Sequence, residues 1–194
     1  MKKMWSIKQI NLIPWIMFLL FQFETLNGFN IINRNEWRAR DHLYSESITE
    51  DVRYVIIHHS YNPGFCQTTD ACKASMRSIQ DLHMDFNGWE DIGYTFAIGG
   101  DGNVYEGRGY GIVGAHAPNY NNRSIGLLFI GDYTHSLPTP YMLNVAKEFI
   151  AYSVSQKQLK SDYKLYGHRQ VRETECPGQA LYNEIKNWEH WTEN

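Results

Sequence analysis

The stretch "RYVIIHHS" at residues 53–60 constrains the fold more than any other part of this sequence. It begins as a run of β-branched and aromatic residues, which is typical of a strand buried inside a sheet. The run ends in two adjacent histidines, His58 and His59. Functional sites in open sheets covered by helices commonly lie at strand ends. This segment therefore predicts a buried sheet and also a position where chemistry can take place.

Segments of helical and strand periodicity alternate along the rest of the chain. A Gly-Gly-Asp-Gly turn at residues 99–102 separates two short strand-like runs and predicts a hairpin. Thr69 or Asp70 is the expected N-cap of the first helix, and a proline stands near the start of the second. The order β-α-β-β-β-α-β-α predicts a single α/β domain, with a central mixed β-sheet flanked by helices. The predicted segments after the first strand are a helix over 69–87, a hairpin over 94–108, a strand over 124–133, a helix over 139–158, a strand over 163–171 and a helix over 178–191.

The first 28 residues differ in character from the rest. Three lysines fall within the first eight residues, and the apolar run "LIPWIMFLLFQF" follows at 12–23. This run is shorter than the roughly 20 residues that span a bilayer. We therefore predict a cleavable secretory signal at 1–28, a domain at 29–194, an extracellular location and no membrane span in the mature chain. Leu26 is large for the −3 position of a cleavage site, so an uncleaved anchor is the alternative.

Three cysteines leave one without a partner. Secretion favours disulfides, and Cys66 and Cys72 lie close enough in sequence for one bridge to close a small loop. Cys176 then stands alone. The net charge of −3 and the absence of a basic stripe make nucleic acid a poor candidate partner. Asn122 begins the sequon "NRS" and is a glycosylation candidate.

Cys176 follows His168 in "GHRQVRETECPG", and the adjacent His58 and His59 end a predicted strand. Alternation along a strand places these two side chains on opposite faces and does not decide which of them joins a site. Two imidazoles and a thiolate are good zinc ligands. A structural zinc takes four protein ligands, whereas a catalytic zinc takes three and leaves a position open, so this set favours a catalytic site. Spacing alone does not show that the two strand ends meet. On spacing alone, an inert buried thiol at Cys176 is the simpler interpretation.

Six motifs occur in this order along the chain: "NRNEWRAR", "YVIIHHS", "GFC…C", "GWEDIGYTFAIGGDGNVYEGRGY", "GAHAPNYNNRSIGLLFIGDY" and "GHRQVRETECPGQALY". Together they resemble the peptidoglycan recognition proteins of animals, which share a fold with bacterial and phage N-acetylmuramoyl-L-alanine amidases. The resemblance covers nearly all of the predicted domain. It implies a Zn²⁺ cofactor, bacterial peptidoglycan and muropeptides as partners, and hydrolysis of the bond between N-acetylmuramic acid and L-alanine in innate immunity. The alternative is a non-catalytic receptor for the same ligand.

The resemblance also assigns roles to individual residues. The zinc ligands of the amidases fall on His58, His168 and Cys176, and non-catalytic members commonly carry serine at the cysteine position. The catalytic tyrosine and threonine fall on Tyr94 and Thr174. From the residues alone, Tyr94 could equally be a strand aromatic and Thr174 a loop cap. No HExxH-type glutamate is visible, so the group that moves the proton stays open.

Substrate preference is implied in the same way. Members that prefer meso-diaminopimelate over lysine resemble this chain at Gly88, Trp89 and Arg108, and a guanidinium suits the extra carboxylate of diaminopimelate. The alternatives are that Arg108 is a solvated hairpin residue and that His83 is a polar member of a helix face. The remaining residues implied to line the peptide groove are His59, His83, Asn87, His116 and Asn121.

Two positions depart from the family pattern. Arg38 stands where "WGAR" has glycine, and Tyr110 stands where "GRGW" has tryptophan. Both lie outside the predicted zinc set, so we expect them to affect local backbone or groove shape more than catalysis.

Overall fold

The computed structural model describes residues 28–193, so the predicted signal lies outside the described residues except for its last position. Six strands form one sheet in the order β1-β4-β3-β5-β2-β6, with helices on both faces. This confirms the predicted fold class. The elements are β1 (Ile31–Ile32), β2 (Tyr54–His59), α1 (Thr69–Asp81), β3 (Phe96–Ile98), β4 (Val104–Glu106), β5 (Ser124–Phe129), α2 (Pro140–Ser155), β6 (Lys164–Gly167) and α3 (Gln179–Ile185).

Strand β2 lies between β5 and β6 and runs parallel to both. Ile57 of β2 pairs with Gly167, the last residue of β6. The residues that come next, His58 in β2 and His168 directly after β6, therefore lie side by side at the carboxyl ends of the two strands. Because the carboxyl ends of parallel strands lie on the same side of a sheet, this pairing brings together two segments that sequence spacing alone could not connect.

Residues of β2 alternate between the two faces of the sheet, as a strand requires. Val55 and Ile57 belong to the core cluster under α2 and α3, which contains Phe149 and Leu181. Ile56 belongs to a separate cluster on the other face. His58 and His59 therefore point to opposite faces, which was expected from alternation.

The first helix begins at Thr69 as predicted, but its N-cap and its C-terminal end differ from the prediction. Its N-cap is Thr68, whose Oγ1 accepts a hydrogen bond from the N–H of Ala71 at 3.3 Å, so the expected caps at Thr69 and Asp70 are wrong by one or two positions. After Asp81 the chain continues in one wider turn of π-helix, Leu82–Phe86. That turn carries His83, which is buried.

The last helix is shorter than predicted, because α3 ends at Ile185 and the predicted bound was 191. His190 has a φ of 63°, which an α-helix does not accommodate. Trp191 then forms an isolated parallel bridge with Leu165 of β6. The segment after α3 thus extends the sheet by one bridge beside its edge strand β6. The two-residue strand β1, which pairs with β4, was not predicted at all.

The strands predicted over 124–133 and 163–171 end earlier, at Phe129 and Gly167, and the helix predicted over 139–158 ends at Ser155. Two other local predictions are confirmed. The hairpin is formed by antiparallel pairing of β3 and β4. The Cys66–Cys72 disulfide is present and ties the loop after β2 to the first turn of α1, which confirms the predicted bridge. Within residues 28–193, no helix is long and apolar enough to cross a membrane.

The two departures from the family pattern affect backbone and core. Arg38 has a φ of 60°, the left-handed region that favours glycine, so a side chain here costs about 1 kcal/mol. Tyr110 packs against Phe96 and Phe149, and its hydroxyl lies 2.6 Å from Ser153 Oγ. The Tyr110 side chain therefore belongs to the core beneath α2.

Candidate metal centre

Three predicted ligands converge at the edge where β2 and β6 end. His58 is the fifth residue of β2, His168 follows β6 directly, and Cys176 lies in the loop that leads to α3. One ligand atom from each residue lies within 4.8 Å of the other two. Cys176 Sγ is 3.7 Å from His58 Nδ1, and the rings of His58 and His168 are 4.4 Å apart. The parallel register of the two strands produces this cluster.

Burial sets the protonation states of the three side chains. It lowers the pKa of His58 well below the usual value, and the neighbouring His168 and His116 lower it further. Burial also lowers the pKa of His168 to about 4 and raises the pKa of the Cys176 thiol to about 12. The imidazoles are therefore neutral at pH 7 and have lone pairs for a metal. The thiol needs a bound cation to lose its proton.

The cluster fits a soft divalent metal. Among the residues that the structure describes, His168 Nε2 is buried and has no hydrogen-bond partner, a state that costs free energy unless another atom satisfies it. The backbone N–H of His59 points at Cys176 Sγ across 3.4 Å and would stabilise a thiolate. Two nitrogens and one sulfur match the preference of zinc.

Tyr94 lies next to this cluster. Its ring is 5.1 Å from the ring of His58, centroid to centroid. Burial, followed by the effect of Cys176, raises the pKa of its phenol above the usual range, so the hydroxyl keeps its proton and can donate a hydrogen bond. Thr174 Oγ1 accepts a hydrogen bond from the N–H of Cys176 at 3.2 Å. Thr174 thus caps the ligand loop, and its catalytic role stays a prediction.

His83 and Trp89 form one wall beside Tyr94. The His83 ring lies 4.6 Å from Trp89 and 5.5 Å from Tyr94. Its Nδ1 accepts a hydrogen bond from the N–H of Gly93 at 2.9 Å, so the ring proton sits on Nε2. Burial, and then Arg108, lowers the pKa of His83 to about 4. His83 is therefore a neutral donor near the cluster.

Arg108 shares a surface cavity of 310 Å³ with Gly88 and Trp89, so the structure brings these three predicted residues together. The Arg108 guanidinium is held in place, because Nε donates to the carbonyl of Ile92 at 2.7 Å and Nη1 donates to the carbonyl of Val113 at 2.8 Å. Neither bond uses Nη2. The alternative of a freely solvated side chain does not describe this half-buried group.

His116 is buried against the cluster, with its Nδ1 3.0 Å from His58 Nε2. Asn121 Oδ1 accepts hydrogen bonds from the backbone N–H groups of His116 and Ala117 at 2.9 and 2.8 Å. Both predicted groove residues therefore make contacts inside the protein. Their contact with a substrate stays a prediction.

A sequence model described as N-acetylmuramoyl-L-alanine amidase matches residues 48–179 of the chain. The chain belongs to this amidase family. Its similarity to peptidoglycan-recognition protein LB of Drosophila melanogaster is 49% identity over 162 residues, which covers 84% of this chain and 70% of that protein. Protein SC2 of the same species is 44% identical over 176 residues, covering 91% and 95% of the two chains. The family resemblance expected from the motifs is confirmed.

Solved structures agree with the fold. Drosophila PGRP-LB superposes with a TM-score of 0.83 at 49% identity, covering 84% of this chain and 96% of that one. A mutant of PGRP-LB in complex with tracheal cytotoxin superposes with a TM-score of 0.82 and the same coverage. The amidase-family fold thus extends over most of residues 28–193.

Three predicted residues have side chains away from the cluster of His58, His168 and Cys176. The His59 side chain points to the opposite face, where its Nδ1 accepts a hydrogen bond from the N–H of Tyr133 at 3.2 Å. Asn87 is exposed at the end of the π-helical turn. Asn122 is half-buried, and its amide donates to Glu50 Oε1 at 2.6 Å. A groove role for His59 and Asn87, and glycosylation of Asn122, stay predictions.

Sequence reasoning missed two supporting residues. Asp91 is buried, forms an ion pair with Arg34 at 2.8 Å and accepts a hydrogen bond from the N–H of Ile92 at 2.7 Å, so it fixes the loop before Tyr94. Ser124 is buried and lies 3.4 Å from His116 Nε2. The only signal for Ser124 is a polar residue opening an apolar strand, which does not reveal its partner.

Proposed function

We propose that this chain is a zinc-dependent amidase that hydrolyses the bond between N-acetylmuramic acid and L-alanine in peptidoglycan. The observation that carries the proposal is the cluster of His58, His168 and Cys176, whose ligand atoms lie within 4.8 Å of one another. Three protein ligands leave a coordination position for water or substrate. The cysteine supports catalysis over pure recognition, because serine, its counterpart in non-catalytic relatives, is a poor zinc ligand.

The chain's own residues divide the work. His58 and His168 would hold the metal through neutral imidazoles, and Cys176 through a thiolate. When bound, zinc supplies Lewis-acid polarisation of the scissile carbonyl and lowers the pKa of a water molecule. The protonated hydroxyl of Tyr94 donates a hydrogen bond to the oxygen that becomes negative as the carbonyl turns tetrahedral. The Thr174 hydroxyl still has a hydrogen to donate towards the reacting groups, because its known bond uses only its oxygen.

We infer that the preferred stem peptide carries meso-diaminopimelate. Arg108 is fixed by two backbone carbonyls, and its Nη2 edge is left for a carboxylate beside Gly88 and Trp89. Diaminopimelate has one more carboxylate than lysine, and a guanidinium fixed at this place would bind that carboxylate by an ion pair with hydrogen bonds. The complex of a PGRP-LB mutant with tracheal cytotoxin supports a muropeptide ligand.

We also propose that the chain acts outside the cell, in innate immunity. Residues 1–28 have the composition of a secretory signal, and the Cys66–Cys72 disulfide suits an oxidising compartment. Expression in insect cells, followed by N-terminal sequencing of protein from the medium, tests this. Retention of residues 1–28 on cell membranes would support an anchor and contradict the signal.

The decisive experiment measures stem-peptide release from purified diaminopimelate-type muropeptides. We expect the wild-type protein to cleave them, to stop when a chelator is added and to recover when zinc is restored. Cys176→Ser should bind the same muropeptides without cleaving them. A wild-type protein that holds zinc and binds muropeptide but releases no peptide would contradict the amidase and favour the receptor.

A second experiment tests the role of Arg108. We expect Arg108→Ala to reduce the ratio of kcat/KM for diaminopimelate over lysine muropeptides about tenfold or more, since a paired charge is lost. Arg108→Lys keeps the charge without the fork and serves as the matched control, with an intermediate ratio. An unchanged ratio in both variants would remove Arg108 from substrate selection.

A further inference from the structure

We propose that His116 and Ser124 are positioning residues that fix the tautomer of His58, so that its Nδ1 is presented to the metal. The inference rests on the metal centre of the proposed function, and it concerns how the chain prepares one ligand before the metal arrives. Four groups form a line from the turn before β5 to the cluster: the carbonyl of Tyr120, Ser124, His116 and His58.

The direction of the hydrogen bonds is set at the Tyr120 end of the line. Ser124 Oγ lies 2.7 Å from the carbonyl oxygen of Tyr120, which can only accept. The hydroxyl has one hydrogen, so that hydrogen points at the carbonyl. Towards His116 Nε2, at 3.4 Å, the serine oxygen can then only accept. The ring proton of His116 is thereby assigned to Nε2.

The remaining atoms follow from this assignment. A buried imidazole that faces other histidines is neutral and carries one ring proton. With that proton on Nε2, His116 Nδ1 has a lone pair, and it lies 3.0 Å from His58 Nε2. His58 must therefore donate from Nε2. Its own lone pair is on Nδ1, the atom that lies 3.7 Å from Cys176 Sγ.

Packing holds His116 in the orientation that this line requires. A Cβ added to Gly126 would lie 2.4 Å from Cδ2 of the ring, and one added to Gly114 would lie 2.5 Å from the same atom. Both glycines therefore leave space that the ring occupies. Asn121 fixes the backbone of His116 with two hydrogen bonds. The ring is therefore enclosed, and hydrogen bonds to Asn121 hold the backbone that carries it.

An orienting partner of this kind matters to a metal site. It fixes ring orientation and raises the basicity of the ligand nitrogen, and its removal typically weakens metal binding by roughly 10- to 100-fold. In most such pairs the partner is a carboxylate or a carbonyl. Here a neutral imidazole performs the task, and it can accept only because Ser124 determines its tautomer.

The first test uses the metal-free wild-type protein. Long-range ¹H–¹⁵N correlation spectra of ¹⁵N-histidine-labelled protein distinguish the two neutral tautomers of each ring. We expect His58 and His116 both to carry the proton on Nε2. A proton on His58 Nδ1, which would point at Cys176, would overturn the proposal. The measurement needs no variant, so it decides the question even if a variant fails to fold.

The second test compares His116→Leu with His116→Asn. The two replacements have nearly the same shape, but only the asparagine oxygen can accept from His58 Nε2. By chelator competition, we expect zinc affinity to fall roughly 10- to 100-fold for His116→Leu and to recover at least half of that loss, on a logarithmic scale, for His116→Asn. Equal losses in both, or none in either, would contradict the positioning role.

These readouts are independent of cleavage. A wild-type protein that shows the predicted tautomers and binds zinc, yet cleaves no muropeptide, would refute the amidase and leave the role of His116 standing. A protein that cleaves muropeptide but carries the His58 proton on Nδ1 in the metal-free state would support the amidase and refute the role of His116.

Discussion

His58 and His59 are neighbours in sequence, but the alternation of β2 places their side chains on opposite faces of the sheet, in regions with different chemistry. On the face that carries the His58 side chain, His168, Cys176, Tyr94 and His116 lie close together. The possible metal-ligand atoms of His58, His168 and Cys176 lie within 4.8 Å of one another. On the opposite face, the His59 imidazole already has a hydrogen-bond partner, because its Nδ1 accepts a hydrogen bond from the backbone N–H of Tyr133. One residue belongs to a site, and the other holds a loop.

The difference shows that burial alone does not mark a functional histidine. Both rings are buried, and burial lowers the pKa of both. His58 differs in the groups beside it: the thiol of Cys176, the phenol of Tyr94 and the Nε2 atom of His168, which has no hydrogen-bond partner within the described part of the chain. His59 instead faces Tyr133 and the exposed carboxylate of Asp132, 3.8 Å away.

The largest effect should come from exchanging each histidine for asparagine. His58→Asn removes one of three ligands, and we expect zinc affinity to fall on the order of 1000-fold, since the roughly 10–16 kcal/mol of a protein-bound zinc is shared among few ligands. His59→Asn should change zinc affinity less than about threefold. Chelator competition measures both. Similar losses in the two variants would erase the contrast between the faces.

Tyr94→Phe should separate chemistry from metal binding on the His58 face. We expect kcat to fall about 10²- to 10³-fold, the usual cost of removing one donor to a developing oxyanion. Zinc affinity should stay within about threefold of the wild-type value, because the phenol is not a ligand. Steady-state kinetics and zinc titration check the two halves. An unchanged kcat would assign Tyr94 to packing alone.

The pH dependence of stability should reveal His83, which lies on the His58 side without being a ligand. Its pKa in the folded protein is about 4, below the ordinary 6.5, so only the unfolded chain takes up this proton as the pH falls through 6.5. The contribution of neutral His83 to the free energy of unfolding is therefore fully present above pH 6.5, and it is lost progressively as the pH falls towards 4. Between pH 7 and 4.5, the loss is about 2–3 kcal/mol.

His83→Asn should remove this part of the pH dependence, since the amide can still accept from Gly93 and does not titrate. Urea unfolding of chelator-treated protein at pH 7 and 4.5 measures it. Identical pH dependence in wild type and variant would show that the His83 environment does not resist protonation.

The smallest effect belongs to the His59 face and should appear only in stability. His59→Leu leaves the N–H of Tyr133 without its acceptor, which costs about 1–2 kcal/mol of unfolding free energy relative to His59→Asn. Zinc affinity should be equal in the two variants. Denaturant melts and zinc titrations compare them. A drop in zinc affinity specific to His59→Leu would connect the two faces.

Local chemistry made part of the molecule predictable. The hairpin of β3 and β4 follows from its glycine-rich turn, and the buried run of β2 follows from its β-branched residues. The short bridge between Cys66 and Cys72 follows from their spacing. Each of these depends on residues close together in sequence.

The rest depends on contacts that no local pattern encodes. His58 meets His168 because β2 pairs with β6, more than a hundred residues later, in a register that only the folded sheet sets. The family resemblance supplied that set, whereas spacing left Cys176 as an inert thiol. The hydrogen bond between His58 and His116, its support by Ser124 and the two-residue strand β1 had no local sequence signal, because each arises from packing across the sheet.

The most direct test of the zinc centre is X-ray absorption spectroscopy on the zinc-loaded protein, together with its metal content. We expect one zinc per chain, with one sulfur neighbour at about 2.3 Å and two imidazole nitrogens at about 2.0 Å. Cys176→Ser should lose the sulfur signal. A wild-type spectrum without sulfur, or a protein that retains no zinc at neutral pH, would contradict a metal centre built from His58, His168 and Cys176.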